Sequence, residues 1–157
     1  AGTAIPEFND LLDLVEECRP ELFLCVELKE NDVECARSVL TELKKRGRLH
    51  RCSIISFHPA MLWYAREFEP SLELHGFEHQ ATPEEYARYC RMIKRIGFYH
   101  KDLTLELVRK YNDLGIKVDT WEPGDKETWE YALRCGVDLI TTNAADVITA
   151  LKHAERN

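Results

Sequence analysis

The sequence predicts an α/β fold, a parallel β-sheet covered by helices, and three features predict it. Short apolar runs of strand length alternate with amphipathic stretches of helical period along the whole chain. The connections between them are short and carry helix-starting and helix-stopping residues such as Pro59, Thr82-Pro83, Gly47 and Gly136. No low-complexity linker divides the 157 residues, which suffice for a single domain with a real core. Parallel neighbours need crossovers, and helices are the usual ones. A closed eight-stranded β/α barrel takes about 250 residues. Five or six strands in the present length therefore imply an open sheet or a piece of a barrel.

Taken in order, Pro6 is a first-turn proline of a helix with Phe8, Leu11, Leu12, Val15 and Cys18 on one stripe. Leu22–Lys29 reads as a buried strand, with Phe23, Cys25, Glu27 and Lys29 on one face and the leucines and Val26 on the other. Asn31 and Glu34 form a capping box for the second helix, which Gly47 ends. Cys52–Phe57 is a second buried strand, and Pro59 opens the third helix. Leu72–Phe77 is a weaker strand, interrupted by His75 and Gly76. Thr82-Pro83-Glu84-Glu85 starts the fourth helix, with Gly97 its stop and Gly97–His100 a short irregular strand. Thr104 caps the fifth helix, Gly115 ends it, and Ile116–Trp121 follows as a strand whose outward set is Ile116, Val118 and Thr120. A helix over Asp125–Arg134, a strand over Val137–Thr142 and a last helix over Ala145–His153 complete the chain.

Composition narrows the function. A formal charge of −7 argues against nucleic acid or an anionic membrane as the main partner. No apolar run is long enough to span a bilayer, and no signal peptide is visible. The six cysteines show no C-x-x-C spacing and read as small core residues, reduced and without metal, which points to a cytoplasmic protein. The chemistry concentrates at the end of the first strand. Glu27 and Lys29 share a face at its C-terminal mouth, where alternating β/α folds place their sites. Spacing alone serves a structural ion pair equally well.

The motifs Gly115-Ile116-Lys117-Val118-Asp119-Thr120-Trp121 and Gly136-Val137-Asp138-Leu139-Ile140-Thr141-Thr142-Asn143 resemble the end of the glycerophosphodiester phosphodiesterase family. Ile55-Ser56-Phe57 resembles the family's Ser-Phe strand, Val26-Glu27-Leu28-Lys29 its Glu-x-Lys strand, and Ile5-Pro6-Glu7-Phe8 its Ile-Pro helix start. The resemblance implies the C-terminal portion, about five β/α units, of a TIM-type β/α barrel of the phospholipase-C-like phosphodiesterase type, one incomplete domain over 1–157. It also implies metal-dependent hydrolysis of a small glycerophosphodiester to glycerol 3-phosphate and an alcohol, a reaction of lipid and glycerol metabolism.

Residue by residue, Glu27 matches a metal carboxylate suited to Mg²⁺ or Ca²⁺. Lys29 matches the basic residue near the phosphate. Trp121 matches the tryptophan over the glycerol, and Phe57 is a further candidate for the same mouth. Asn143 is expected to cap a helix or support the site. The family's first three strands, with both catalytic histidines and two further metal carboxylates, have no counterpart here. No histidine of this chain is therefore assigned to catalysis, and all six are expected at surface or loop positions. The isolated chain is expected to be inactive, its open sheet edges free to associate with another copy. A catalytically dead binding or scaffold domain is the alternative. Glu122, where the family usually has threonine, departs from the pattern.

Overall fold

The computed structural model describes residues 4–144 and 146. They form two compact units that divide between Leu74 and His75.

The first unit runs α1 (Phe8–Cys18), β1 (Leu24–Glu27), α2 (Val33–Lys45), a 3-10 turn, β2 (Cys52–Ile55) and α3 (Pro59–Phe68). β1 and β2 pair in parallel, with Leu24 opposite Cys52 and Glu27 opposite Ile55. Leu12, Leu40, Leu43, Ile54 and Leu62 are fully buried and make its core. β1 is shorter and more open than expected from Leu22–Lys29. Leu22 and Phe23 are each 46 % exposed. The cause is local. Buried Arg48 donates to the carbonyls of Pro20 and Leu22 at 3.2 and 2.6 Å, and Leu22 N–H donates to Arg19 O at 2.9 Å. These bonds hold the backbone before Phe23 in a turn, so it cannot join a ladder. Asp32, not Asn31, caps α2, its carboxylate accepting from Glu34 N–H at 2.9 Å. A charged oxygen at a helix N-terminus is the stronger of the two caps, because it also meets the helix dipole.

The second unit holds β3 (Glu73–Phe77, which starts at the boundary), α4 (Pro83–Met92), β4 (Arg95–Tyr99), α5 (Leu105–Asp113), β5 (Lys117–Trp121), α6 (Lys126–Cys135) and β6 (Leu139–Thr141). Successive strands are parallel neighbours: His75 lies opposite Arg95, Gly97 opposite Asp119 and Trp121 opposite Thr141. The period of two divides the strands cleanly. Leu74, Ile96, Phe98, Val118 and Thr120 are buried on one face, and Phe98 meets Tyr111 of α5 at 5.4 Å between ring centres. His75, Phe77, Gly97, Asp119 and Trp121 share the other.

Four expectations are corrected here. His75 and Gly76 do not interrupt β3, because the strand alternation sets His75 on the face where Asp119 of β5 lies 3.4 Å from its Nε2. β4 is a regular strand with neighbours on both sides, and Gly97 lies inside it. α4 stops earlier, where Ile93 turns extended at φ −80° and ψ 154°. Of the cysteines, Cys52 and Cys135 are buried, but Cys18, Cys25 and Cys35 are exposed and are not core residues. The expected last helix, 145–153, lies outside the described residues apart from Asp146. No described helix is long and apolar enough to cross a membrane.

Candidate active site

In the first unit the Glu27/Lys29 pair forms as the strand parity requires. Glu27 is the last residue of β1, and Lys29 Nζ stands 2.7 Å from its Oε2. The lysine side chain is 73 % exposed and the glutamate side chain 27 %. The other carboxylate oxygen, Oε1, is buried and has no hydrogen-bond partner among the described residues. Buried oxygens of this kind are scarce and call for a donor or a cation. Phe57, two residues beyond β2, is 53 % exposed.

Ser56 holds the two strand ends together. Its fully buried hydroxyl donates to Leu28 O at 2.9 Å and accepts from His58 N–H at 3.0 Å, while Leu28 N–H donates to Ile55 O at 2.8 Å. Ser56→Ala leaves a carbonyl and an amide without this partner and is expected to cost about 1–3 kcal/mol. Urea denaturation of the chain measures it. An unchanged midpoint would show that Ser56 does not clamp the Glu27–Lys29 segment.

In the second unit Trp121 ends β5, half-buried, on the strand face it shares with Asp119 and Lys117. Its ring meets Phe77 edge-on at 5.1 Å and Tyr99 at 6.3 Å. One layer down the strands, His75 Nε2 stands 3.4 Å from Asp119 Oδ2, and the two side chains are 1 % and 4 % exposed. Both nitrogens of His75 and Asp119 Oδ1 are buried without a hydrogen-bond partner among the described residues. Burial, helped by the charge of Arg95, pushes the imidazole down to about 3. Burial pushes the Asp119 carboxyl up to about 7, against the pull of Arg95, the Thr120 backbone and the Thr141 side chain. The separation is within ion-pair range, but desolvation outweighs attraction here. The pair is a neutral imidazole beside a carboxyl that titrates near neutrality.

His75 is thus neither a surface nor a loop residue, contrary to the expectation for all six histidines. The signal was present in the alternation: Leu72 and Leu74 on one face of β3 put Glu73, His75 and Phe77 on the other. Each predicted site residue is placed within its own unit. Glu27 pairs with Lys29, and Trp121 gathers Phe77 and Tyr99. Asn143, in the segment after β6, is exposed, and the helix it was expected to cap lies outside the described residues apart from Asp146. Among the described residues no group of three or more His, Cys, Asp or Glu is arranged to hold a metal ion.

Among curated protein sequences, none matches the chain. Solved structures do. A provisionally assigned glycerophosphodiester phosphodiesterase from Galdieria sulphuraria superposes with a TM-score of 0.84 at 24% identity, over 96% of this chain and 65% of that one. A glycerophosphodiester phosphodiesterase from Parabacteroides distasonis gives 0.84 at 21% identity, over 99% and 67%. A phosphodiesterase from Oleispira antarctica, solved with the product sn-glycerol-3-phosphate, gives 0.78 at 14% identity, over 94% and 62%. The chain thus spans about two thirds of the length of these structures or slightly less. At these identities the likeness establishes the fold, part of a TIM-type β/α barrel. The model of the glycerophosphoryl diester phosphodiesterase family matches residues 14–147, across both units. The chain belongs to that family.

Proposed function

We propose that the 157 residues are part of one catalytic domain that hydrolyses a glycerophosphodiester to glycerol 3-phosphate and an alcohol with the help of a divalent cation, Mg²⁺ or Ca²⁺, in the cytoplasm. The observation that carries the reading is Glu27 at the end of β1: one oxygen is held by Lys29, and the other is buried with no partner among the described residues. Glu27 suits one ligand position of a hard cation. It does not make a site by itself, because such ions take six or more oxygens and no further ligand cluster is found among the described residues.

The roles of this chain's own residues are binding and orientation. The Lys29 ammonium offers a mobile positive charge to a phosphate oxygen. The face of Trp121, backed edge-on by Phe77, offers an apolar surface to the carbon side of the glycerol. Exposed Phe57 adds apolar surface after β2. The product complex of the Oleispira protein and the family membership support the substrate class.

The second reading, a catalytically dead domain that associates through its open strand edge, draws on the same ion pair. Lys29 already satisfies one oxygen of Glu27. Phosphorus NMR of glycerophosphocholine with Mg²⁺ or Ca²⁺ separates the two. The chain alone is expected to give no hydrolysis, since general acid and base are each typically worth about 10²–10⁴ in rate. Supplying the family's first three β/α units in trans is expected to restore turnover, and Glu27→Ala to abolish it. Turnover that survives Glu27→Ala would refute the assignment of Glu27, and no turnover in any combination would favour the dead domain.

A further inference from the structure

We propose that His75 and Asp119, which meet across Gly97, form a proton-sharing pair that positions Phe77 and Trp121. Three strands build the pair. His75 is on β3 and Asp119 on β5, and the strand between them places Gly97 opposite Asp119. A β-carbon at Gly97 would stand 2.9 Å from His75 Nε2 and 2.7 Å from Phe77 Cε1. The absence of a side chain at Gly97 is therefore what lets the imidazole lie over β4 and reach within 3.4 Å of the carboxyl. From there ring contacts lead outward. His75 and Phe77 are 5.4 Å apart between centres, and Phe77 meets Trp121 at 5.1 Å. A change in the set of the imidazole is felt by Trp121 through one intervening ring. Charged and polar groups on the same face are Glu73 on β3, Arg95 on β4, Lys117 on β5 and Thr141 on β6.

The proton count follows from burial. Above neutrality Asp119 is a carboxylate; a small turn of the imidazole that closes the 3.4 Å approach lets it accept from His75 Nε2–H and leaves Nδ1 bare. On acidification one proton from solvent binds Nδ1, and the bridging proton passes from Nε2 to Oδ2. One N–H bond forms, one breaks and one O–H bond forms. The charge of the pair goes from −1 to zero, and the imidazole changes tautomer without becoming a cation. This arrangement gives two buried groups a mutual partner in either state. Its use in positioning the substrate rests on the role proposed for Trp121, whereas the ring chemistry stands without it.

The test is nitrogen NMR of the full chain labelled with ¹⁵N-histidine, titrated from pH 5 to 9. His75→Gln identifies the His75 signals. The two ring nitrogens of His75 are expected to exchange donor and acceptor character with a midpoint near 7, the value to which Asp119 is raised. Thr141→Val, which removes a group favouring the carboxylate, should move that midpoint upward, and Asp119→Asn should abolish the step. With 5-fluorotryptophan, the Trp121 resonance, identified through Trp121→Phe, should shift with the same midpoint. Constant His75 nitrogens over this range, or a midpoint unmoved by Thr141→Val, would overturn the shared proton. A His75 step without movement of the Trp121 resonance would overturn the positioning role. None of these readouts requires turnover, so they stand or fall apart from the proposed activity.

Discussion

Gly97→Ala is expected to destabilise the chain by about 1–3 kcal/mol, the usual cost of forcing extra volume into a packed site. The added methyl would lie 2.7 Å from Phe77 Cε1, 2.9 Å from His75 Nε2 and 3.1 Å from Phe77 Cδ1. Neither ring has room to retreat, since His75 is 1 % and Phe77 8 % exposed. Backbone conformation gives no reason for the glycine, because Gly97 is absent from the positive-φ glycines and lies in a regular strand. Within a strand, alanine would otherwise gain from reduced chain entropy, so the sign of the effect isolates the ring contact. Urea denaturation reads it. Phe77→Leu should relieve part of the clash, making the double variant less destabilised than the sum of the singles. A Gly97→Ala chain as stable as the parent would mean that the rings do not cross β4 where described.

The alternation of strands and helices was legible because several helix starts and stops are written in the local sequence. Thr82 with Glu85 closes a reciprocal cap, and Gly136 ends α6 at φ 83°. The ends of β1 and the course of β3 and β4 were less legible, for a common reason. Arg48 captures the carbonyls before β1 from 26 and 28 residues away, and no local pattern announces that. His75 and Gly97 look like strand breakers one at a time. They become strand residues only when registered against each other and Asp119. Glu27 and Lys29 lie two apart on one strand, so parity alone paired them. The His75–Asp119 pair depends on register across three strands, which no single stretch of sequence encodes. Trp121 was placed on its strand face by parity, and its backing by Phe77 and Tyr99 came from neighbouring strands.

The largest expected effect of the buried pair appears when it is broken, in the pH dependence of stability. His75 is held down, to about 3 from an ordinary 6.5, so the unfolded chain takes up its proton first. On its own this group makes stability fall as pH drops below 6.5. Asp119 is held up, to about 7 from 3.8, so the folded chain binds its proton first. On its own this group contributes stability below pH 3.8 and loses it as pH rises toward 7. Between those limits the folded pair carries one proton, on the carboxyl, and the unfolded pair carries one, on the imidazole. The proton counts match, and the pair's contribution to stability is flat from about pH 4 to 6.5. Each single replacement removes half of the cancellation. Asp119→Asn should make stability rise with pH across this window, and His75→Gln should make it fall, each with a slope of up to about 1.4 kcal/mol per pH unit. Denaturation midpoints of parent and variants at pH 4, 5 and 6 measure the slopes relative to one another, which cancels the remaining titrating groups of the chain. Opposite signs are the mark of a neutral imidazole beside a protonated carboxyl. If Asp119→Asn and His75→Gln shifted the slope in the same direction, or not at all, the buried pair would have to be reassigned as an ion pair whose charges persist through the window.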